Sequence, residues 1–476
     1  MQTRTVDVAV IGAGTAGLGA YRTATQAGAD AVLIEGGPYG TTCARVGCMP
    51  SKLLIAAADA AHEVAGAGRF GIRVPDGVRV DGPAVLERVR AERDRFVGFV
   101  VAGVDDIPAV HRLRGWARFV GPTALEIDDH TRLEARAVVI ATGSRPRIPP
   151  SLAALRDHVL VNDDVFELGD LPASLAVVGT GIIGLEIGQA MHRLGVPTAF
   201  FSHSDRLGPV RDPAVAAEVA AVFGAELALH LSAEIAVRRE GAEFVIAWRD
   251  GGGRRERRVA AVLAATGREP DLGRLQLERS GLALDARGLP PFDPRTMQCG
   301  DAPIFLAGDV SDYRAVLHEA ADEGRIAGAN AAAWPQVRAH PRRTPLTIAF
   351  TDPNLAMVGA PLAELDRDAI EIGGVSYADQ GRARVMGRNA GRVRIYARRD
   401  CGTLLGAEMF GPRVEHTAHL LAWAVQSQVT VEQALEMPIY HPVIEEGIRT
   451  ALRDLSTKLK LRPPECPEDM ECGPGA

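Results

Sequence analysis

Apolar, β-branched runs, each cut short by a glycine turn, organise the first two thirds of this chain. Val6-Asp7-Val8-Ala9-Val10-Ile11 reads as a buried strand. The turn Gly12-Ala13-Gly14-Thr15-Ala16-Gly17 follows, then an Ala-rich helix, then a second strand, Ala31-Val32-Leu33-Ile34, ending at Glu35. The same order returns with the strand Leu175-Ala176-Val177-Val178 and the turn Gly179-Thr180-Gly181-Ile182-Ile183-Gly184. A helix then runs to about Leu194, and the strand Thr198-Ala199-Phe200-Phe201 closes the unit. Strand, tight turn, helix, strand is the dinucleotide-binding order. Two copies imply two such sites; the competing reading is one working site and one decayed duplicate.

Pro146, Pro149 and Pro150 mark a linker before the second unit. Further strands are expected at Ala261–Ala264, running into Thr266-Gly267-Arg268, and at Ile304–Ala307, ending in Gly308-Asp309. From about Thr344 the pattern changes. Thr347–Phe350, Arg392–Tyr396 and Leu404–Glu408 read as strands of a separate sheet followed by helices, an α+β arrangement. Residues 462–476, rich in Pro, Gly and acid, read as a flexible tail.

Composition narrows the classes. With 476 residues the chain suits about three domains. The net charge of -7 argues against a general nucleic-acid binder and a basic membrane-surface protein. A polar stub runs straight into the first strand, unlike a secretory leader, and no apolar run is long enough to span a bilayer. The expected location is therefore the cytoplasm. In a reducing compartment, a close pair among the 6 cysteines is more often catalytic or metal-binding than structural.

The first glycine turn lets the backbone approach a pyrophosphate at a helix N-terminus, and Glu35 at the strand end can accept hydrogen bonds from a ribose diol. In the second unit Ser202 stands at the matching strand end, followed by His203, Ser204, Asp205 and Arg206. A polar segment with a nearby cation can accept a 2′-phosphate, so NAD and NADP both stay open.

The sharpest feature is Gly40-Thr41-Thr42-Cys43-Ala44-Arg45-Val46-Gly47-Cys48-Met49-Pro50-Ser51-Lys52. On a regular helix the two cysteines would lie ~7.5 Å apart along the axis, whereas a disulfide prefers Cα atoms ~5.5 Å apart. Pairing thus requires an irregular helix start, which Gly47 permits. Proximity to a helix N-terminus favours the thiolate needed for redox exchange. Two buried free thiols or half a metal site are the alternatives, although no Cys/His cluster completes a zinc site, and no metal is expected.

With both turns, Ala141-Thr142-Gly143, Ala265-Thr266-Gly267, Ala307-Gly308-Asp309 and His441-Pro442-Val443-Ile444-Glu445-Glu446, this segment resembles the class I pyridine nucleotide-disulfide oxidoreductases, most nearly the dihydrolipoyl dehydrogenase group. The resemblance spans Val6 to about Leu455. It implies an α/β fold of two doubly wound dinucleotide-binding domains, for FAD and NAD(P), plus an α+β C-terminal dimerisation domain. The implied divisions are 1–148 and 271–343 for the split FAD domain, 149–270 for the NAD(P) domain and 344–461 for dimerisation.

By position, the resemblance makes Cys48 the thiol beside the flavin and Cys43 the interchange thiol that meets the substrate. Lys52 resembles the lysine near flavin N5, paired with Glu186. Asp309 resembles the ribitol-binding acid, and His318 falls near the flavin's pyrimidine edge. Gly12, Gly14, Gly17, Glu35, Thr42, Thr142 and Gly143 join the cofactor-binding set on the FAD side; Gly179, Gly181, Gly184, Ser202 and Gly267 join it on the NAD(P) side. His441 resembles the general base, oriented by Glu446 and reaching the cysteines of a second subunit, so a homodimer is implied. From the residues alone, Pro442 can open a helix, and Glu446 lies near enough to fix the imidazole tautomer.

Three positions depart from the usual pattern: Thr41 for a glycine, Arg45 for an asparagine, Val443 for a threonine. They are expected to border the substrate cleft and bear on lipoyl specificity. The expected substrate is a small or protein-bound dithiol or disulfide, a lipoyl-domain protein among the candidates. One alternative is an NAD(P)H-dependent reductase of another disulfide or a metal ion, of the glutathione, mercuric or thioredoxin reductase kind, using Cys466 and Cys472. The other is a non-catalytic FAD-binding subunit. Cys299 and Cys401 read as incidental thiols.

Overall fold

The structure, a computed structural model, describes residues 1–75 and 77–461; Cys466 and Cys472 lie outside them. The opening strand Gln2–Ile11 is central to a seven-stranded sheet. It pairs in parallel with Ala31–Glu35 on one side and Thr131–Ile140 on the other. The late strand Ile304–Leu306 returns to this sheet beside Val138–Ile140. The chain between leaves this unit and rejoins it before that strand, since Leu275, Leu277, Leu289 and Cys299 already pack in its core; the part in between is an insertion.

The insertion carries its own parallel sheet, ordered Ala228–His230, Thr198–Phe201, Leu175–Val178, Ala261–Ala264. Its inner strands are buried on both faces, matching their unbroken apolar runs. A three-stranded antiparallel sheet over Glu234–Val259, not anticipated from the pattern, lies beside it. A two-stranded ribbon, Ser144–Pro146 against Arg268–Pro270, joins the two units where the linker prolines stand. The C-terminal part is a five-stranded antiparallel sheet over Leu346–Gly411 packed by the helices Val414–Gln426 and Glu446–Leu459. Among the described residues, no helix is long and apolar enough to cross a membrane.

The two glycine turns are built alike. Gly12 (φ 105°) and Gly179 (φ 112°) hold left-handed backbone that side chains avoid. A Cβ there would come within 2.3 Å of the Ala141 carbonyl oxygen and 2.2 Å of the Ala265 carbonyl oxygen, respectively. Gly17 and Gly184 press in turn on the carbonyls of Gly12 and Gly179. Ala141 and Ala265 begin the two Ala-Thr-Gly segments, so each segment is packed against its own turn.

A further glycine contact brings the helices Thr15–Gln26 and Leu317–Ala333 together. Cβ atoms at Gly324 and Gly328 would fall 2.1 Å from the Ala16 oxygen and 2.3 Å from the Ala20 oxygen. Gly328→Ala should therefore force these helices apart and destabilise the protein by about 1–3 kcal/mol despite alanine's better helix propensity. Thermal unfolding should show a lower midpoint; an unchanged or raised one would contradict the contact.

Candidate active site

Each dinucleotide turn ends in a helix whose N-terminus has no side-chain cap. Gly14 precedes Thr15–Gln26, and Gly181 precedes Ile182–Arg193. Nothing lies within 4 Å of where a Cβ at Gly14 or Gly181 would be. Both helix starts open into one cavity of about 790 Å³, lined also by Thr42, Cys43, Cys48, Lys52, Gly143, Glu186, Gly267, Asp309 and His318. Two uncapped helix N-termini aimed into one space suit two pyrophosphates. Beside it, the buried Thr142 hydroxyl has no hydrogen-bond partner. These features fit FAD on the first unit and a nicotinamide dinucleotide on the second.

The cysteines meet through a broken helix. A short helix, Thr42–Val46, stops at Gly47, and a new one, Cys48–Ala65, starts at the second cysteine. A Cβ at Gly47 would come within 3.1 Å of the Thr42 carbonyl oxygen and 3.3 Å of Cys43 Cα. A side chain there would crowd this approach, which seats the two thiols within hydrogen-bonding reach. Before them, Thr41 holds φ 60°, strained for a β-branched residue, while its hydroxyl accepts the Ala44 N–H at 3.3 Å.

The pair is electrostatically unequal. The thiol of Cys43 donates to Cys48, and Lys52 adds positive charge; together they outweigh burial and bring the Cys48 thiol down to about 7. Donating that hydrogen bond, together with burial and the charge on Cys48, drives Cys43 well above the ordinary thiol range. Cys48 is thus the thiolate, and Cys43 keeps its proton until a base removes it.

Lys52, one helical turn beyond Cys48, donates to Glu186 Oε2 at 2.7 Å. The other oxygen of this buried carboxylate accepts the Phe350 N–H at 2.8 Å, and the Lys52 ammonium sits 4.6 Å from the Phe350 ring centre. Asp309 accepts the Ser144 hydroxyl at 2.9 Å. Its loop is held by the fully buried Glu323, which accepts the Gly308 N–H and pairs with Arg342 at 3.0 Å. Glu35 Oε2 accepts the Ala13 N–H at 2.8 Å, so the acid braces the first turn. Ser202 follows the strand Thr198–Phe201 and accepts the Ser204 N–H at 3.2 Å; His203, Asp205 and Arg206 are exposed around it. Neither Glu35 nor Ser202 lines the cavity.

His441 Nδ1 bonds Glu446 Oε1 at 2.9 Å, and Glu446 Oε2 accepts the Val443 N–H at 3.1 Å. Burial works against the Glu446 charge, yet the bonds from His441 and Val443 hold its carboxyl below the usual range. The helix begins at Glu446 rather than at Pro442, because the chain first turns through Pro442–Glu445. The His441 side chain is 74% exposed and lines neither cavity, so within one subunit it does not meet the cysteines.

A second cavity, about 750 Å³, lies on the other side of the redox pair. Thr15, Cys43 and Leu317 border both cavities, whereas Cys48 faces only the first. Of the three departures, Thr41 lines this second cavity, whereas Arg45 and Val443 of the same subunit do not. Sequence reasoning missed Phe350 and Arg268. Arg268 donates to Ser144 and, at 3.2 Å, to Asn162, whose amide reaches the Val46 carbonyl at 3.0 Å. Its place beside Gly267 was the available signal. Among the described residues, no group of three or more His, Cys, Asp or Glu is placed to hold a metal ion.

Residues 6–332 match the family described as Pyridine nucleotide-disulphide oxidoreductase, and residues 346–452 match its dimerisation domain. The chain is 29% identical to the dihydrolipoyl dehydrogenase of Bacillus subtilis, covering 94% of this chain and 98% of that one. It is 30% identical to the mercuric reductase of Acidithiobacillus ferrooxidans, covering 96% and 83%. The crystal structure of LpdA from Mycobacterium tuberculosis superposes with a TM-score of 0.81 at 25% identity, covering 95% and 99%. The matched dimerisation domain implies a homodimer. Trp423 and Tyr440 in the C-terminal part are 71% and 81% exposed, the kind of aromatic surface such an interface covers.

The unequal thiols yield a direct measurement. In the reduced protein, iodoacetamide labelling of Cys48, followed by mass spectrometry, should rise with pH through a midpoint near 7. Cys43→Ala removes the donated hydrogen bond and should move that midpoint upward; an unmoved midpoint would contradict the assignment.

Proposed function

The chain belongs to the pyridine nucleotide-disulphide oxidoreductase family, and from that premise we propose that it is a flavoenzyme moving electron pairs between NAD(P)H and a disulfide or dithiol through FAD and the Cys43–Cys48 pair. As a family of oxidoreductases, it sets aside the non-catalytic alternative. The observation carrying the proposal is that Cys48 faces the cavity opened by both helix N-termini, while Cys43 borders that cavity and the second cleft. Bound there, FAD would supply a two-electron carrier between the nicotinamide and the cysteine pair.

The family likeness and this geometry together support the following roles. Gly12, Gly14 and Gly17 let the backbone approach the flavin dinucleotide's pyrophosphate, with Glu35 at its ribose, Gly143, Asp309 and His318 along the cavity and Thr142 beside it. Gly179, Gly181, Gly184 and Gly267 do the same for the nicotinamide dinucleotide, with Ser202 and Arg206 at its outer ribose. Lys52, fixed by Glu186, holds positive charge beside Cys48. Cys43 needs a base to lose its proton, and no His, Asp or Glu lines the second cleft among the described residues. The exposed His441, oriented by Glu446, supplies that base from the second copy of the homodimer.

Dihydrolipoyl groups are the first substrates to test, given the printed activity of several relatives. Purified protein should carry FAD and be assayed with dihydrolipoamide and NAD+ or NADP+, and with NADH or NADPH against lipoamide, glutathione disulfide and mercuric ion. Cys43→Ser and Cys48→Ser should each abolish disulfide turnover while flavin stays bound. His441→Gln should lower it by about 10²–10⁴-fold. Protein that binds no flavin, or a Cys48→Ser enzyme with full disulfide turnover, would end the proposal.

A further inference from the structure

The break between the two cysteines leaves one backbone group without its ordinary partner. In an unbroken helix the Val46 carbonyl would accept the N–H four residues on. That residue is Pro50, which has no N–H to give. A partner comes instead from the inserted unit: Asn162 Nδ2 donates to the Val46 carbonyl at 3.0 Å. Asn162 is 7% exposed and opens the short helix Asn162–Val165. Its neighbours fix which way the amide faces. Arg268 donates to Asn162 Oδ1 at 3.2 Å, and Asp163 accepts from Nδ2 at 2.8 Å, so the second Nδ2 hydrogen is left for Val46. Arg268 is itself held by Ser144, at 2.8 Å from the hydroxyl and 2.6 Å from the carbonyl. That hydroxyl in turn donates to Asp309 at 2.9 Å.

Resting on the reading of Cys43 and Cys48 as the working redox pair, we propose that Asn162 is a positioning residue for that pair: its bond to Val46 sets the turn at Gly47 and so holds the Cys43 thiol against Cys48. Val46 stands three residues after Cys43 and two before Cys48, so its carbonyl lies in the turn that joins them. The helix carrying Cys43 is 5 residues long, too short to keep its shape unaided, and Gly47 adds backbone freedom. Pinning the last carbonyl of that helix to a buried, oriented amide removes the freedom. Asn162 acts through the approach of the two sulfurs. The bond that Cys43 donates is the largest influence lowering the Cys48 thiol, so a looser turn gives a weaker bond and a less acidic Cys48. Arg268 follows Gly267 in the segment packed against the second glycine turn, so the inserted unit takes part in tuning a thiol that belongs to the first unit.

The test follows iodoacetamide labelling of Cys48 against pH in the reduced, flavin-loaded protein. Asn162→Leu removes the donor without adding charge, and Asn162→Ala stands in for it if the larger side chain prevents folding. Asn162→Asp keeps the size and the contact with Arg268 but has no hydrogen to donate. Each should raise the labelling midpoint by about 0.5–1 pH unit, the ordinary worth of one hydrogen bond. Asn162→Asp also brings a negative charge that works in the same direction, so the neutral variant decides. In Cys43→Ala protein the bond between the sulfurs is already gone, and there Asn162→Leu should raise the midpoint no further. A merely structural role would lower the thermal midpoint of unfolding and leave the labelling midpoint where it was. Neutral variants that fold, bind FAD and label like the wild type overturn this inference. So does an undiminished further rise on adding Asn162→Leu to Cys43→Ala. Peptide mass spectrometry of the oxidised wild type separates the two levels. A Cys43–Cys48 disulfide with unmoved midpoints leaves the proposed function standing, whereas absence of that disulfide overturns the function and this inference together.

Discussion

The arrangement of this molecule turns on the buried carboxylate of Glu186. A charge with so little solvent is tolerated only when its oxygens are satisfied. Glu186 binds the Lys52 ammonium through one oxygen and the Phe350 N–H through the other. Glu186 belongs to the inserted unit, and its two partners come from the cysteine helix and the edge of the C-terminal sheet. One side chain thus fixes three separately folded parts at the point where they meet, and Lys52 is pinned one helical turn from Cys48. The positive charge that helps make Cys48 a thiolate depends on that pinning.

Around this junction, backbone rather than side chains shapes the cavity. First and third glycines in each turn are pressed against carbonyl oxygens, while the second faces open space. The helix that follows is left uncapped, its N–H groups turned into the cavity. A stable helix would ordinarily satisfy those donors itself; leaving them free suits an anionic ligand. Because two units present the same device to one cavity, two dinucleotides bound there would lie close together, as the proposed electron transfer requires.

Much of this was legible along the chain. The parallel strands Leu175–Val178, Thr198–Phe201 and Ala261–Ala264 coincide with their apolar runs, because a strand buried on both faces leaves no room for polar interruption. The break at Gly47 was required by the distance between the cysteines. Other features were not legible. The sheet over Glu234–Val259 has exposed, arginine-rich edge strands whose stability comes from pairing, so its pattern is weak. Pro442 pointed to a helix start that the turn through Glu445 postponed to Glu446.

The sequence by itself determined the two dinucleotide turns, the cysteine pair and the order of units, since each depends on residue type at short spacing. Tertiary structure decided which sulfur faces which cavity. It also decided that His441 lies away from the cysteines of its own subunit. Those facts depend on where helices distant in the chain are brought into contact, and glycine–carbonyl approaches and buried ion pairs set that placement in three dimensions.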